Sequence, residues 1–198
     1  MIAVSYIGII VSFVFVNNIL LSQLFVGKTC LDMSRDTKTA CAFGILMICF
    51  SAFSCFLAWG VYHGILKSFG LEYLQTLSFI MVITGLTLIL EPVFAKAAIL
   101  SVPVGSLFPL VATNCAVLGV CLISVRSGYT AAESLLAGAA AGAGYFLAVL
   151  LLSVLRESMK KEWIPRPFRG IPITFISAGL MALAFMAFDE AFLKNLFG

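Results

Sequence analysis

Six long stretches without a charged residue constrain the fold of this chain more than any other feature. Each is about as long as the roughly 20 helical residues that cross a hydrocarbon core of about 30 Å. The stretches are Met1–Gly27, Thr39–Leu66, Tyr73–Leu90, Ala97–Val125, Ser134–Leu155 and Gly170–Phe188. Strands of a membrane barrel would alternate apolar and polar residues, but runs such as Ile45–Phe50 are apolar throughout. We therefore predict an all-α integral membrane protein with six transmembrane helices.

The composition excludes other classes of protein. Apolar residues make up 62% of the chain and charged residues 11%, whereas soluble domains have about 45–50% and about 25%. With 18 Phe residues the chain also has too much apolar surface for a disordered protein. A net charge of +3 is too small to indicate nucleic-acid binding.

The basic residues predict the orientation of the chain. Six crossings place most of them on one face: Lys28, Arg35, Lys38, Lys96, Arg156, Lys160, Lys161, Arg166 and Arg169. The opposite face receives only Lys67, Arg126 and Lys194. The positive-inside rule makes the first face cytoplasmic and leaves both termini on the outer side. Because the first stretch has no basic residue before Lys28, we expect it to remain in the mature chain rather than act as a cleaved signal.

Two of the stretches are poor candidates for simple helices because of the residues within them. The fourth contains Pro103, Gly105, Pro109, Asn114 and Gly119, and the first contains Asn17, Asn18 and Gln23. Broken backbone and unpaired polar side chains are costly against lipid, so both stretches should lie inside a helix bundle. Since they are first and fourth of six, we predict a single transmembrane domain of two inverted three-span halves, residues 1–96 and 97–198, with the first and fourth segments broken.

Cys115 lies in the interrupted fourth stretch and Cys30 three residues after the end of the interrupted first one, at corresponding positions of the halves. Non-helical backbone turns N–H groups toward such sulfurs, where they can tune a bound iron centre. Two thiolates make only half of a metal site, so either a partner chain supplies two more or both residues are ordinary buried thiols. Cys41, Cys49 and Cys55 point in different directions on one predicted helix. These three and Cys121 are interpreted as packing residues.

Four other features each have a structural and a functional interpretation. The GxxxG pattern at Gly138 and Gly142 is typical of close helix packing, either within the chain or between subunits. His63 is interpreted as an interfacial imidazole, and Glu91 as a residue at the membrane boundary rather than part of an ion path. The segment Arg156–Arg169 is a cytoplasmic anchor loop that could also dock a soluble electron donor.

Several strings in the sequence closely resemble a known family of membrane proteins. The family includes the A subunit of the Rnf complex and the E subunit of the Na+-translocating NADH:quinone reductase (Nqr). The strings are Leu71–Ile80, Phe108–Leu110, Thr113–Gly119, Pro167–Gly170 and Ala178–Met186. The amino-acid sequence of Leu71–Ile80 is more similar to the Rnf proteins than to the Nqr ones. The resemblance covers nearly the whole chain.

This resemblance implies a redox subunit of an ion-translocating ferredoxin:NAD oxidoreductase in the bacterial cytoplasmic (inner) membrane. It implies a homologous partner of opposite orientation, the Rnf E subunit, and a [2Fe–2S] cluster that takes two cysteines from each chain. The ligands from this chain would be Cys30 and Cys115, and the chain would not be catalytic alone. Around Cys30 the sequence departs from the family's usual apolar run, because Lys28 and Asp32 flank it.

The resemblance further implies electron relay across the membrane, coupled to Na+ or H+ translocation. Other expected partners are the Rnf B, C, D and G subunits, the lipid membrane and, indirectly, ferredoxin and NAD. Three alternatives remain open: a small secondary transporter with inverted repeats, a scaffold without redox function, and the equivalent Nqr protein. A transporter would move solute into liposomes on its own, and a scaffold would tolerate loss of both Cys30 and Cys115.

Overall fold

The computed structural model of the chain describes residues 2–16, 18, 34, 36–94, 98–99, 102–159 and 165–186. Helices dominate these residues. In chain order the main elements are α1 (Ile2–Val11), α2 (Thr37–Val61), α3 (Gln75–Phe94), β1 (Ala98–Ile99), β2 (Val102–Pro103), α4 (Phe108–Ala112), α5 (Cys115–Arg126), α6 (Ala131–Met159) and α7 (Ile171–Met186). Helical turns extend or join them: π-helical Ser12–Val16 and Tyr62–Leu66, the α-helical turn Lys67–Phe69, and 3-10 turns at Glu72–Leu74, Val104–Ser106 and Arg166–Phe168.

Within the described residues, three helical stretches are long and apolar enough to cross a membrane. They are Thr37–Phe69, Glu72–Phe94 and Ala131–Met159. They coincide with the second, third and fifth uncharged stretches, so the prediction of membrane-length helices is confirmed for these three. Cys115–Arg126 and Ile171–Phe185 are shorter apolar helices. The full set of six crossings stays a prediction.

The end of α3 and the beginning of α6 can both be compared with the sequence. α3 continues beyond Glu91 and contains Pro92 in its last turn, so the helix is longer than the uncharged stretch that predicted it. α6 begins with a reciprocal cap. The backbone N–H of Thr130 donates to Oε2 of Glu133 at 2.9 Å, and the N–H of Glu133 donates to Oγ1 of Thr130 at 3.4 Å.

The α2–α6 seam, where these two helices pack side by side, is the most extensive helix contact. A Cβ atom at Gly138 would lie 2.5 Å from the carbonyl oxygen of Ser51, and one at Gly142 would lie 2.6 Å from Cα of Ile48. Ser51 Oγ also donates to the carbonyl oxygen of Gly138 at 2.7 Å. The GxxxG pattern therefore packs within the chain, which is the first of its two interpretations.

A single buried apolar cluster connects the helices. It includes Phe13 beside α1, Phe43 of α2, Phe79 of α3, Val117 of α5 and Val149 of α6. By contrast, α3 and α7 expose large apolar side chains on their outer faces, among them Met81, Leu88, Leu180 and Leu183. Outward apolar surface of this kind is what a helix at the edge of a bundle needs in lipid.

Candidate functional site

Cys115 is the first residue of α5 and follows a two-residue gap after α4. The short helix α4 has Pro109 at its beginning, where a missing N–H costs least. The backbone N–H of Thr113 donates to the carbonyl oxygen of Pro109, and that of Asn114 to Val111, both at 3.1 Å. Asn114 is extended, with φ −81° and ψ 113°, so the chain leaves α4 and starts a new helix at Cys115.

Asn114 caps the new helix. Its Oδ1 accepts the backbone N–H of Ala116 at 3.0 Å, and its carbonyl oxygen accepts the N–H of Val117 at 3.1 Å. Asn is among the preferred residues at this position because its short side chain reaches the unpaired donors of the first turn. The backbone N–H of Cys115 itself donates no hydrogen bond to any residue that the structure describes. As far as the described residues go, a backbone donor without an acceptor therefore lies on the same residue as the thiol.

The gap has a buried side and an exposed side. Asn114 and Ala116 are buried, whereas Pro109, Thr113 and Cys115 are exposed. On the buried side, Asn114 Nδ2 lies 4.0 Å from Sδ of Met47 in α2. A small cavity beneath the first two turns of α5 is lined by Met47, Ser51, Ala116, Val117, Val120, Ala141, Gly142 and Tyr145. Cys115 thus lies on the exposed side of the gap, at the beginning of α5.

Cys30, the second predicted ligand, lies outside the described residues. The structure does describe Asn18, which lies twelve positions earlier, within the first stretch, and is 1% exposed. Its Nδ2 donates to the carbonyl oxygens of Val14 at 3.0 Å and of Gly144 in α6 at 2.9 Å. Close approach at this point requires Gly144, because a Cβ there would lie 2.7 Å from the carbonyl oxygen of Phe13. As expected from its sequence, Asn18 lies inside the bundle, and it attaches the first stretch to α6.

The other cysteines lie elsewhere in the fold. Cys55 and Cys121 are buried in the apolar core with their sulfurs 3.6 Å apart, Cys41 is half-buried, and Cys49 is exposed. Among the described residues, no group of three or more His, Cys, Asp and Glu side chains could hold a metal ion. The described part of the chain therefore offers Cys115 without a complete ligand set around it.

His63 belongs to an aromatic cluster at the end of α2. Its ring stacks on Trp59 with centroids 4.6 Å apart and meets Tyr62 edge-on at 5.2 Å, and its Nδ1 lies 3.2 Å from the carbonyl oxygen of Trp59. Trp59 Nε1 donates to the carbonyl oxygen of Tyr129 at 2.9 Å, so the cluster connects α2 to the loop before α6. Sequence reasoning missed both contacts. The stacking of His63 on Trp59 could have been found, because their four-residue spacing places them on one helix face.

The charged candidates Glu91 and Arg156 both lie within helices. Glu91 is half-buried within α3. Arg156, near the end of α6, donates from Nη1 to Oγ of Ser34 at 2.7 Å. Close by, Glu157 Oε2 accepts the hydroxyl of Thr37 at 3.0 Å. These contacts fasten the last turns of α6 to the start of α2, at the predicted cytoplasmic end.

Comparison with known proteins identifies the family. A profile of the Rnf-Nqr subunit family of membrane proteins matches residues 6–191. The chain belongs to the Rnf-Nqr family. The resemblance that the motif strings indicated is thereby confirmed, and the matched range contains both Cys30 and Cys115.

Individual relatives of this Rnf-Nqr protein match it along nearly their whole length. The A subunit of the Na+-translocating ferredoxin:NAD+ oxidoreductase complex of Acetobacterium woodii is 35% identical over 91% of this chain and 95% of its own. The A subunit of the ion-translocating oxidoreductase complex of Serratia proteamaculans is 38% identical, over 92% and 95%. The protein of that name from Syntrophotalea carbinolica is 35% identical, over 91% and 94%.

Proposed function

We propose that this chain is the membrane redox subunit of an ion-translocating ferredoxin:NAD oxidoreductase of the Rnf type. In this proposal Cys30 and Cys115 hold half of a [2Fe–2S] cluster, and a homologous partner of opposite orientation, the E subunit, supplies the other two thiolates. Electron transfer through the complex is coupled to movement of Na+ or H+. The names of the full-length relatives support the complex and its reaction class.

The position of Cys115 is the observation that carries the cofactor part of the proposal. A ligand to a cluster shared between two chains must lie at the surface of each chain, and Cys115 is exposed at a gap between helices. Iron–sulfur clusters take Cys thiolates as ligands and are tuned by hydrogen bonds to their sulfurs. The thiol of Cys115, its unpaired N–H and the absence of further ligands around it in the described residues fit such a half-site.

The residues of this chain would bind and orient the group. Cys115 would bind it, and the Asn114 cap fixes the start of α5 above a small, largely apolar cavity. When bound, a [2Fe–2S] cluster accepts and releases single electrons, and a carrier within the membrane divides the roughly 30 Å barrier into shorter steps. The thiolate ligands come from the protein, which also sets the dielectric around them.

The proposed topology has six crossings in one domain, with inverted halves at residues 1–96 and 97–198 and broken first and fourth segments. The membrane-length helices and the gap before Cys115 support it. The bias of basic residues toward one face supports a position in the inner membrane with both termini outside. Cysteine-accessibility labelling of each loop from either side of sealed vesicles tests this arrangement.

The cluster assignment is tested by iron content. The complex is purified with its partner subunits as wild type, Cys115→Ser, Cys30→Ser and Cys49→Ser, and iron and the reduced-cluster electron paramagnetic resonance signal are measured. Cys49 is the matched control because it is also exposed but lies within α2. We expect Cys115→Ser and Cys30→Ser to lose one cluster per complex and Cys49→Ser to keep it. Undiminished iron and signal in Cys115→Ser would refute the assignment.

A further inference from the structure

Asn114 is a buried amide beside an exposed thiol. It is 8% exposed, although its neighbours Thr113 and Cys115 are both exposed. A buried amide is retained in an apolar protein only where its polar atoms find partners. Its Oδ1 accepts the N–H of Ala116, and its Nδ2 faces Sδ of Met47 on α2. The residue therefore fixes the gap both to the helix that follows it and to the helix beside it.

The cap decides which backbone donors remain free at the start of α5. The N–H groups of Ala116 and Val117 are taken by the side chain and the carbonyl oxygen of Asn114, respectively. The N–H of Cys115 has no acceptor among the described residues. With Asn114 in place, the first turn presents one backbone donor next to the thiol and holds the other two inward.

We infer that Asn114 is a positioning residue that sets the reduction potential of the group bound at Cys115. This inference rests on the proposed function, because the potential is that of the proposed cluster. A hydrogen bond from an N–H to a cluster sulfur, and the partial positive charge of a helix N-terminus, both stabilise the more negative reduced state. Both depend on a well-formed first turn at Cys115, and Asn114 provides that turn.

The test uses the assembled complex with substitutions in the gap. Asn114→Ala removes the cap, Asn114→Ser keeps a neutral capping oxygen, and Thr113→Ala is the matched control. The Thr113 hydroxyl donates back to the carbonyl oxygens of Pro109 at 2.9 Å and Leu110 at 3.4 Å, so it supports α4 rather than α5. Iron per complex and the midpoint potential of the cluster are measured for each variant by redox titration.

We expect all three variants to retain the cluster. The midpoint potential should fall in Asn114→Ala, because the first turn frays and donation to sulfur weakens, and should stay near the wild-type value in Asn114→Ser and Thr113→Ala. A merely structural role would lower the yield or melting temperature of Asn114→Ala and leave the potential of the assembled complex unchanged. That unchanged potential would overturn the inference.

Two further variants cover failed assembly of Asn114→Ala. Asn114→Gln keeps the amide, but its acceptor lies one methylene further out, so the tight cap cannot form and the potential should again fall. Asn114→Thr keeps a neutral capping oxygen, as Asn114→Ser does, and should leave the potential near the wild-type value. An unchanged potential in Asn114→Gln overturns the inference. Failure of the proposed function gives a different result, because iron per complex is then the same in the wild type and in Cys115→Ser.

Discussion

The α2–α6 seam and the gap before Cys115 both lie in long uncharged stretches of the sequence, yet they have opposite structures. At the seam, α6 runs unbroken from Ala131 to Met159 and glycines bring it against the backbone of α2. In the fourth stretch, a short hairpin, a 3-10 turn and two helices follow one another, and a polar Asn lies at the gap. Small residues favour close approach, whereas Pro and Asn end and restart helices. In this molecule the seam supports the fold, and the gap exposes the thiol of Cys115.

The largest expected effect comes from filling the seam. Gly138→Ala puts a Cβ within 2.5 Å of a backbone oxygen that cannot move without shifting α2. We expect it to lower the free energy of unfolding by about 1–3 kcal/mol, measured by thermal or denaturant unfolding in detergent. Gly119→Ala in α5 is the control, since no heavy atom lies within 4 Å of its added Cβ, and it should be neutral or stabilising by up to about 1 kcal/mol. Equal stability of the two variants would contradict the close seam.

The buried pair Cys55 and Cys121 provides a second test, which distinguishes cysteines that only pack from cysteines that bind the cluster. Cys55→Ala and Cys121→Ala each remove a fully buried sulfur from the contact between α2 and α5. Each should destabilise the protein by about 1 kcal/mol through the cavity that it leaves, while iron per complex stays at the wild-type value. Iron loss in either variant would make this pair, rather than Cys115, a source of cluster ligands in this chain.

The smallest effects sharpen the description of the seam itself. Ser51 Oγ lies 2.6 Å from the carbonyl oxygen of Met47 and 2.7 Å from that of Gly138, and its one proton can be donated to either. Ser54 Oγ, one turn further along α2, is buried with no hydrogen-bond partner among the described residues. Ser51→Ala should therefore cost about 1 kcal/mol of unfolding free energy, and Ser54→Ala should be neutral or slightly stabilising. A greater loss in Ser54→Ala than in Ser51→Ala would show that Ser54 has an unrecognised partner in the assembled protein.

The regular parts of the fold could be predicted from the sequence because a long uncharged apolar run in a membrane must be helical. The second, third and fifth stretches became helices whose ends differ from prediction by a few residues. α3 passes beyond Glu91 and Pro92 and ends at Phe94, so the helix stops within a turn of the Pro that interrupts its hydrogen bonding. The GxxxG pattern predicted close approach but not its partner, since α2 and a neighbouring protein would satisfy it equally well.

The details of the gap could not be read from the sequence. Pro109 begins α4 instead of interrupting a helix, because Pro fits a first helical turn as well as it ends one. The helices separate at Thr113 and Asn114, and Asn114 acts as a cap, a role that depends on backbone angles. An Asn immediately before a continuous apolar helix was the available signal. The Trp59–Tyr129 contact was missed because it joins residues far apart in sequence.

The central claim is that iron is bound at Cys115 on the surface of this chain, and locating the iron atoms tests it most directly. An experimental structure of the assembled complex, with anomalous scattering recorded at the iron edge, gives their positions relative to Sγ of Cys115. We predict an iron peak at bonding distance from this sulfur and from that of Cys30, with the partner protein on the opposite side. Iron only at distant sites, with the Cys115 thiol against lipid or apolar side chains, would contradict the account.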